Sequence, residues 1–125
     1  MTDPVYLLDA NICIYLLEGK FPRAAERISD CAAGSVVTSS IVYAEVMIGA
    51  RRLGKAEHAE AFFAEIPPLP FDNQAGERYS HLPFRRGSYD RLIAAQAVAM
   101  GLVLITNNTA DFADVPGLVV ENWTI

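Results

Sequence analysis

The stretch VYLLDAN at residues 5–11 joins a short apolar run to an aspartate and an asparagine. The residues at 4–8 predict a short buried strand that stops at Asp9. A helix is expected to follow over residues 11–18, with Asn11 as its N-cap. This unit of a strand followed directly by a helix sets the pattern for the rest of the chain.

The same alternation continues toward the C-terminus. Further strands are expected at residues 36–38, 102–105 and 118–120. Residues 69–71 are expected to form either a strand or a loop. Helices are expected at residues 22–33, 40–53, 55–66, 73–82 and 88–101. Ser39 or Ser40 is expected to cap the second of these helices and Ser88 the last. We therefore expect one α/β domain over residues 1–125, with a central, mostly parallel sheet of four to five short strands flanked by helices.

The composition predicts a folded chain, because 52% of the 125 residues are hydrophobic and 20% are charged. No apolar run approaches the ~20 residues that a membrane helix needs, and Met1–Pro4 lacks the positive charge that begins a secretory signal. Cys13 and Cys31 form no CxxC pair and are expected to be free, buried thiols in a reducing cytoplasm. The net charge of −5 argues against a surface that coats nucleic acid broadly, although acids gathered around a metal would contribute to it.

Three acidic residues occupy positions where apolar neighbours disfavour a charge. Asp9 ends the first strand, Glu45 lies inside SSIVYAEVMIGA at residues 39–50, and Asp90 begins DRLIAA. Ionised carboxylates are costly in poor solvent contact unless they are paired or bound to a metal. Glu45 shares an apolar helix stripe and is expected to point inward. The three acids suggest a divalent-cation site, and oxygen ligands favour Mg²⁺ or Mn²⁺ over zinc.

Polar residues after the strand at 102–105 are expected at the same edge of the sheet as Asp9, beyond the carboxyl ends of the strands. Thr106 and Asn108 follow that strand, and Asp111 comes about one turn later. Taken alone, each of them is also typical of a cap, a turn or a loop.

Each of the three acids also has a simpler explanation on its own. Asp9 is typical of a cap or a turn, and Asp90 of the first turn of a helix, where the backbone dipole favours an anion. Glu45 could pair with a buried arginine such as Arg91. The combination favours a metal site, because otherwise every acid needs a separate explanation.

Four blocks of sequence resemble one known family: LLDANICIYLL, SSIVYAEVMIGA, SYDRLIAAQAVAMGLVLITNNTADF and VPGLVVENW. Together they resemble the PIN-domain ribonucleases, specifically the VapC-type toxins of type II toxin–antitoxin pairs. By that resemblance, Asp9, Glu45 and Asp90 match the three acids that bind magnesium and carry out cleavage. Asp111 matches a fourth acidic position, which Asn108 would otherwise fill as an amide.

The resemblance also implies partners and a substrate. Such toxins cleave RNA, often at structured sites in tRNA or rRNA. They form homodimers, and a cognate VapB-like antitoxin blocks the active site and helps the pair to bind operator DNA. Ala10 departs from the family, in which Thr or Ser usually follows the first acid, and the segment at 79–90 is shorter than is common.

These expectations assign a role to each residue of the site. Asp9 and Asp90 hold Mg²⁺, or Mn²⁺, directly; Glu45 binds a water on the metal or acts as general base; and Asp111 positions a second metal or a water. The residues expected to hydrogen-bond those carboxylates are Asn11, Thr106 and Asn108. The residues expected to contact phosphate are Arg85, Arg86 and Arg91.

Two other functions are compatible with the acids. An aspartyl-phosphate phosphatase or transferase would use Asp9 as its nucleophile, but DAN stands where a DxD pair is expected. A non-catalytic module would keep the acids only to dock a basic partner. P-loop and dinucleotide motifs are absent, and Ser39 and Ser40 lie in no nucleophile elbow.

Overall fold

The computed structural model describes residues 2–83 and 88–125, which contain six α-helices and five strands. The strands are β1 (Tyr6–Leu8), β2 (Val36–Ser39), β3 (Pro68–Leu69), β4 (Val103–Ile105) and β5 (Val120–Glu121). The helices are α1 (Ala10–Leu17), α2 (Pro22–Ser29), α3 (Ser40–Arg52), α4 (Ala56–Glu65), α5 (Asn73–Ser80) and α6 (Asp90–Met100). A short 3₁₀ turn covers Thr109–Phe112.

The strands form a parallel sheet in the order β3-β2-β1-β4-β5. Leu7 of β1 lies opposite Val37 of β2 and Leu104 of β4. Leu7 and Leu8 point to opposite faces of the sheet, and both are fully buried. Both faces are therefore covered, as a parallel sheet requires. The predicted α/β fold is confirmed, and every strand pairing is parallel.

Hydrogen bonds join the carboxyl ends of the three central strands, β2, β1 and β4. The backbone N–H of Asp9 donates to the C=O of Ile105 at 3.1 Å, which joins the ends of β1 and β4. The Thr38 hydroxyl of β2 donates to the C=O of Leu8 at 2.7 Å. Side chains that follow these strands therefore start from one small region at the edge of the sheet.

The N-cap of α1 is Asp9 and not Asn11, so that prediction is wrong. The Oδ1 atom of Asp9 accepts a hydrogen bond from the N–H of Ile12 at 3.0 Å. Asp and Asn are equally good N-caps, and the residue nearer to the strand takes the position. The prediction for α3 is confirmed for Ser39, whose hydroxyl oxygen accepts the N–H of Ile41 at 3.0 Å.

Ser88 does not cap α6. The residue before this helix is Tyr89, whose backbone is already helical (φ −79°, ψ −18°) and whose side chain makes no capping hydrogen bond. A capping serine needs an extended backbone directly before the helix, and Ser88 lies one residue too early. The predicted end of the helix is confirmed, since Gly101 takes the left-handed conformation that suits glycine (φ 68°).

Two helices end two or more residues earlier than expected, and in each a serine hydroxyl binds a carbonyl of the last turn. In α2 the Ser29 hydroxyl donates to the C=O of Glu26 at 2.8 Å. In α5 the Ser80 hydroxyl donates to the C=O of Glu77 at 2.6 Å. Hydrophobic periodicity does not report such local bonds.

The two edge strands are shifted from their expected positions. The N–H of Phe71 donates to the Ser40 hydroxyl at 3.2 Å, so Phe71 does not pair within the sheet. The strand β3 therefore covers Pro68–Leu69 and begins one residue before the expected position. The N–H of Leu118 donates to the C=O of Val115 at 3.4 Å, which keeps Leu118 in a turn ahead of β5.

A fully buried amide, Gln96, ties α6 to its neighbours. Its oxygen accepts the Ser39 hydroxyl at 2.7 Å, and its nitrogen donates to the carbonyls of Leu69 at 3.1 Å and Pro70 at 3.2 Å. Because Ser39 caps α3, this side chain fixes the helix that begins with Asp90 against the helix that carries Glu45.

Both cysteines are free, as predicted, but only Cys13 is fully buried, whereas Cys31 is half-buried. Trp123 is interior and packs edge-to-face on Tyr6, with ring centroids 4.8 Å apart. Among the described residues, no helix combines the length and the apolar character needed to cross a bilayer.

Candidate active site

Asp9 is buried at the end of β1, with 4% of its surface exposed. This burial raises the pKa of Asp9 from 3.8 to about 6, and the charge of Asp90 adds to the rise. Hydrogen bonds from the Thr106 hydroxyl and from the backbone N–H groups of Ile12 and Asn11 oppose it. Asp9 is thus an acid whose negative charge is costly as long as no cation lies nearby.

A chain of hydrogen bonds runs from Asp9 to Asp111. The buried Thr106 hydroxyl hydrogen-bonds to Asp9 and accepts the backbone N–H of Asn108 at 3.0 Å. The side-chain amide of Asn108 in turn donates to the Asp111 carboxylate. Asn11 acts on Asp9 through its backbone N–H, and its side chain is exposed.

Glu45 is half-buried on α3. Its pKa is raised by burial first, then by the charges of Asp90 and Asp9. Its Oε1 atom is buried and has no hydrogen-bond partner in the described part of the chain. The stripe that suggested an inward position for Glu45 is only partly interior, because Ile48, one turn later, is 55% exposed.

Asp90 begins α6, and its pKa is also raised, by burial first and then by the charge of Asp111. Asp111 is exposed on the 3₁₀ turn. The charge of Asp90 therefore acts on Asp9, the charges of Asp90 and Asp9 act on Glu45, and that of Asp111 acts on Asp90. The four acids come from the end of β1, the middle of α3, the start of α6 and the turn after β4.

No cation compensates these acids within the described part of the chain, where none of the ion pairs includes them. The alternative pairing of Glu45 with Arg91 is wrong, because Nη2 of Arg91 binds the Asp114 carboxylate at 2.5 Å. Arg91 is also 3% exposed, which places it below the surface that a phosphate reaches. The other two arginines expected to contact phosphate, Arg85 and Arg86, lie outside the described residues.

The side chains of these acids are compatible with a hard divalent cation. No group of three or more His, Cys, Asp or Glu side chains among residues 2–83 and 88–125 is arranged to hold a metal ion as it stands. Carboxylates of like charge repel one another, and a cation between them removes that repulsion. The donors are all oxygens, and Oε1 of Glu45 is a buried acceptor without a described partner. This donor chemistry fits Mg²⁺ or Mn²⁺.

Glu45 lines two open clefts. One has a volume of about 260 Å³ and apolar walls from α3 and from the start of α6, formed by Ile41, Ala44, Ile48, Tyr89 and Leu92. The other has a volume of about 190 Å³ and lies among α1, α3 and α4. A ligand can therefore reach Glu45 from solvent.

The family model for the PIN domain matches residues 6–118 of this chain. The chain belongs to the PIN-domain family. Among similar proteins is the "tRNA(fMet)-specific endonuclease VapC" of Salmonella typhimurium, 31% identical over 94% of this chain and 97% of the relative. Another is "Ribonuclease VapC2" of Rickettsia felis, 30% identical over 95% of this chain and 98% of the relative.

The solved structure of DNA-bound VapBC from Salmonella typhimurium contains a chain with a similar fold. The TM-score is 0.84 at 29% identity, with 96% of this chain and 98% of that chain covered. The resemblance to VapC-type PIN domains inferred from the four sequence blocks is confirmed. The phosphatase and the non-catalytic module are set aside.

Two residues of this PIN-domain protein that bind elements next to the site were not predicted: Gln96, which binds Ser39, and Asp114, which binds Arg91. Gln96 stands within LIAAQAVAM, where a polar residue in an apolar run is a signal of the same kind as Glu45. Asp114 carries no such signal, because a solvent-exposed loop is the ordinary place for an aspartate.

Proposed function

We propose that this chain is the toxin of a VapBC-type pair and a magnesium-dependent endoribonuclease. PIN-domain ribonucleases generally depend on a divalent metal. The observation that carries the proposal is the group of acids Asp9, Glu45 and Asp90, which arise from three separate elements. Asp90 raises the pKa of Asp9, and both of these acids raise the pKa of Glu45. No described cation offsets them.

Each acid has a task in this chemistry. Asp9 and Asp90 would hold Mg²⁺, with Mn²⁺ as an alternative. The bound cation would supply an activated water and would stabilise the charge that develops on the phosphate. Asp9 is oriented by the Thr106 hydroxyl and by its capping bond to α1.

Glu45 is the candidate general base. The pKa of Glu45 is raised toward neutral pH, which makes the carboxylate a better proton acceptor. Its Oε1 atom makes no hydrogen bond in the described part of the chain, which leaves that atom available to receive a proton from a water. Asp111, which accepts a hydrogen bond from the amide of Asn108, would orient a further water or a second ion near Asp90.

The similar proteins indicate the substrate and the partners. One relative is named for cleavage of tRNA(fMet), and the similar Salmonella structure is a DNA-bound VapBC complex. We accordingly expect a structured RNA, tRNA or rRNA, as the substrate of this chain. A VapB-like antitoxin would neutralise it and would carry the pair to operator DNA. The cytoplasmic location and the homodimer stay predictions.

Purified protein should cleave RNA only in the presence of Mg²⁺ or Mn²⁺. The assay incubates the protein with total RNA, with the metal or with excess EDTA, and maps the new ends. Glu45→Gln should lower the initial rate by about 10²-fold, the loss that removal of a general base typically causes. Glu60→Gln, an exposed change on α4 where Glu60 pairs with Arg51, should leave the rate unchanged. Cleavage that persists in EDTA, or that is insensitive to Glu45→Gln, would contradict the proposal.

A further inference from the structure

Arg91 immediately follows Asp90, but its described ion pair is with Asp114 and not with an acid of the site. Its guanidinium is 3% exposed, and its Nη2 atom binds the Asp114 carboxylate at 2.5 Å. Arg91 is not among the groups that shift the pKa of Asp90, Glu45 or Asp9. The guanidinium thus binds the segment after the 3₁₀ turn, and its Nη1 atom is buried with no hydrogen-bond partner among the described residues.

The 3₁₀ turn keeps the negative charge of Asp111 near that of Asp90 at the start of α6. Asp111 lies on a turn of four residues, which forms only short-range i→i+3 hydrogen bonds and is weakly stable alone. Its negative charge acts on Asp90, so repulsion tends to move the turn away from the start of α6. Besides the hydrogen bond from the Asn108 amide to Asp111, the buried ring of Phe112 and the ion pair of Asp114 with Arg91 oppose this movement.

We propose that Arg91 is a positioning residue, which holds Asp111 beside Asp90 by binding Asp114 on the far side of the turn. The inference rests on the proposed function, because it concerns the same site. The residue adjacent to Asp90 in sequence thus fixes the fourth acid through an ion pair whose guanidinium is buried and whose carboxylate is 43% exposed. Because the guanidinium pairs with Asp114, it forms no described ion pair with the acids that would bind a cation.

Three substitutions test the inference. Arg91→Met removes the charge and keeps an apolar stem for packing, whereas Arg91→Lys keeps a charge but loses the planar fork. Arg51→Met is the matched control, because it breaks an exposed ion pair with Glu60, at 3.6 Å between α3 and α4. Asp114→Asn removes the other charge of the same ion pair at its half-exposed end. It replaces Arg91→Met in the test if that variant does not fold.

The measurements are Mn²⁺ affinity by calorimetry and the Mg²⁺ concentration for half-maximal cleavage. Arg91→Met should weaken Mn²⁺ binding and raise the Mg²⁺ requirement, each by about tenfold, as loss of a group that orients a metal ligand does. Arg91→Lys should show a smaller effect in the same direction, and Arg51→Met none. Because Arg91 acts through Asp111, Asp111→Asn should add little to Arg91→Met in a double-mutant cycle.

The outcomes separate this inference from the proposed function. Unchanged Mn²⁺ affinity in folded Arg91→Met, or fully additive effects with Asp111→Asn, would show that Arg91 serves only stability and would overturn the inference. A wild-type protein that neither binds Mn²⁺ nor cleaves RNA would instead overturn the proposed function, and the inference with it.

Discussion

Asp9→Asn lowers the rate of RNA cleavage by about 10³-fold, because it removes the most buried anionic ligand of the site. Loss of about 4 kcal/mol of transition-state stabilisation corresponds to that factor. The fold should survive, since asparagine caps helices as well as aspartate does and can still accept the N–H of Ile12. Initial rates with a defined RNA, together with circular dichroism, measure both expectations.

Asp72→Asn is the matched control for this change. Asp72 caps α5 as Asp9 caps α1, since its Oδ1 atom accepts the N–H of Ala75 at 2.9 Å. It is not among the groups that act on the acids of the site. The control should cleave at the wild-type rate, and an Asp9→Asn protein that did the same would rule out the assigned role of Asp9.

The metal-free protein loses up to about 3 kcal/mol of unfolding free energy through Asp9 alone as the pH rises from about 4 to about 7. Burial raises the pKa of Asp9 from its ordinary value of 3.8 to about 6 in the folded protein. The folded state therefore binds this proton more tightly than the unfolded state does. The contribution is fully present below the lower value and is lost as the pH rises through the higher one. The cause is the buried carboxylate, which is more costly when it is ionised.

Urea unfolding in EDTA at several pH values measures this effect as the difference between wild type and Asp9→Asn. Asn carries no charge, so the variant should become the more stable of the two near neutral pH, although it is inactive. Mg²⁺ should restore the stability of the wild type, because a bound cation stabilises the folded state. Parallel stability curves for the two proteins across this pH range would be inconsistent with the burial of Asp9.

Much of the site follows from the sequence because its acids interrupt apolar segments. Asp9, Glu45 and Asp90 each stand where an apolar residue would otherwise pack, and this conflict is visible without coordinates. The strand at Leu102–Ile105 predicts the position of Thr106, because a parallel sheet places all carboxyl ends at one edge. Burial of successive residues in the central strands follows from the same continuous apolar runs.

The rest depends on contacts between residues that are distant in sequence or chemically interchangeable. Asp9 and Asn11 are both good caps, and only the strand end decides between them. The pairing of Arg91 with Asp114 joins a helix to a loop 23 residues later, which helical periodicity does not report. Ile48 is exposed because none of the elements in the described ranges covers it, which is a property of the tertiary arrangement.

Calorimetric titration of Mn²⁺ into the wild type and the variants Asp9→Asn, Glu45→Gln and Asp90→Asn tests the central claim most directly. If carboxylates from β1, α3 and α6 share one cation, each substitution weakens Mn²⁺ binding by at least about tenfold, while Asp72→Asn leaves it unchanged. Wild-type affinity in all three variants, or no binding to the wild type, would contradict the claim.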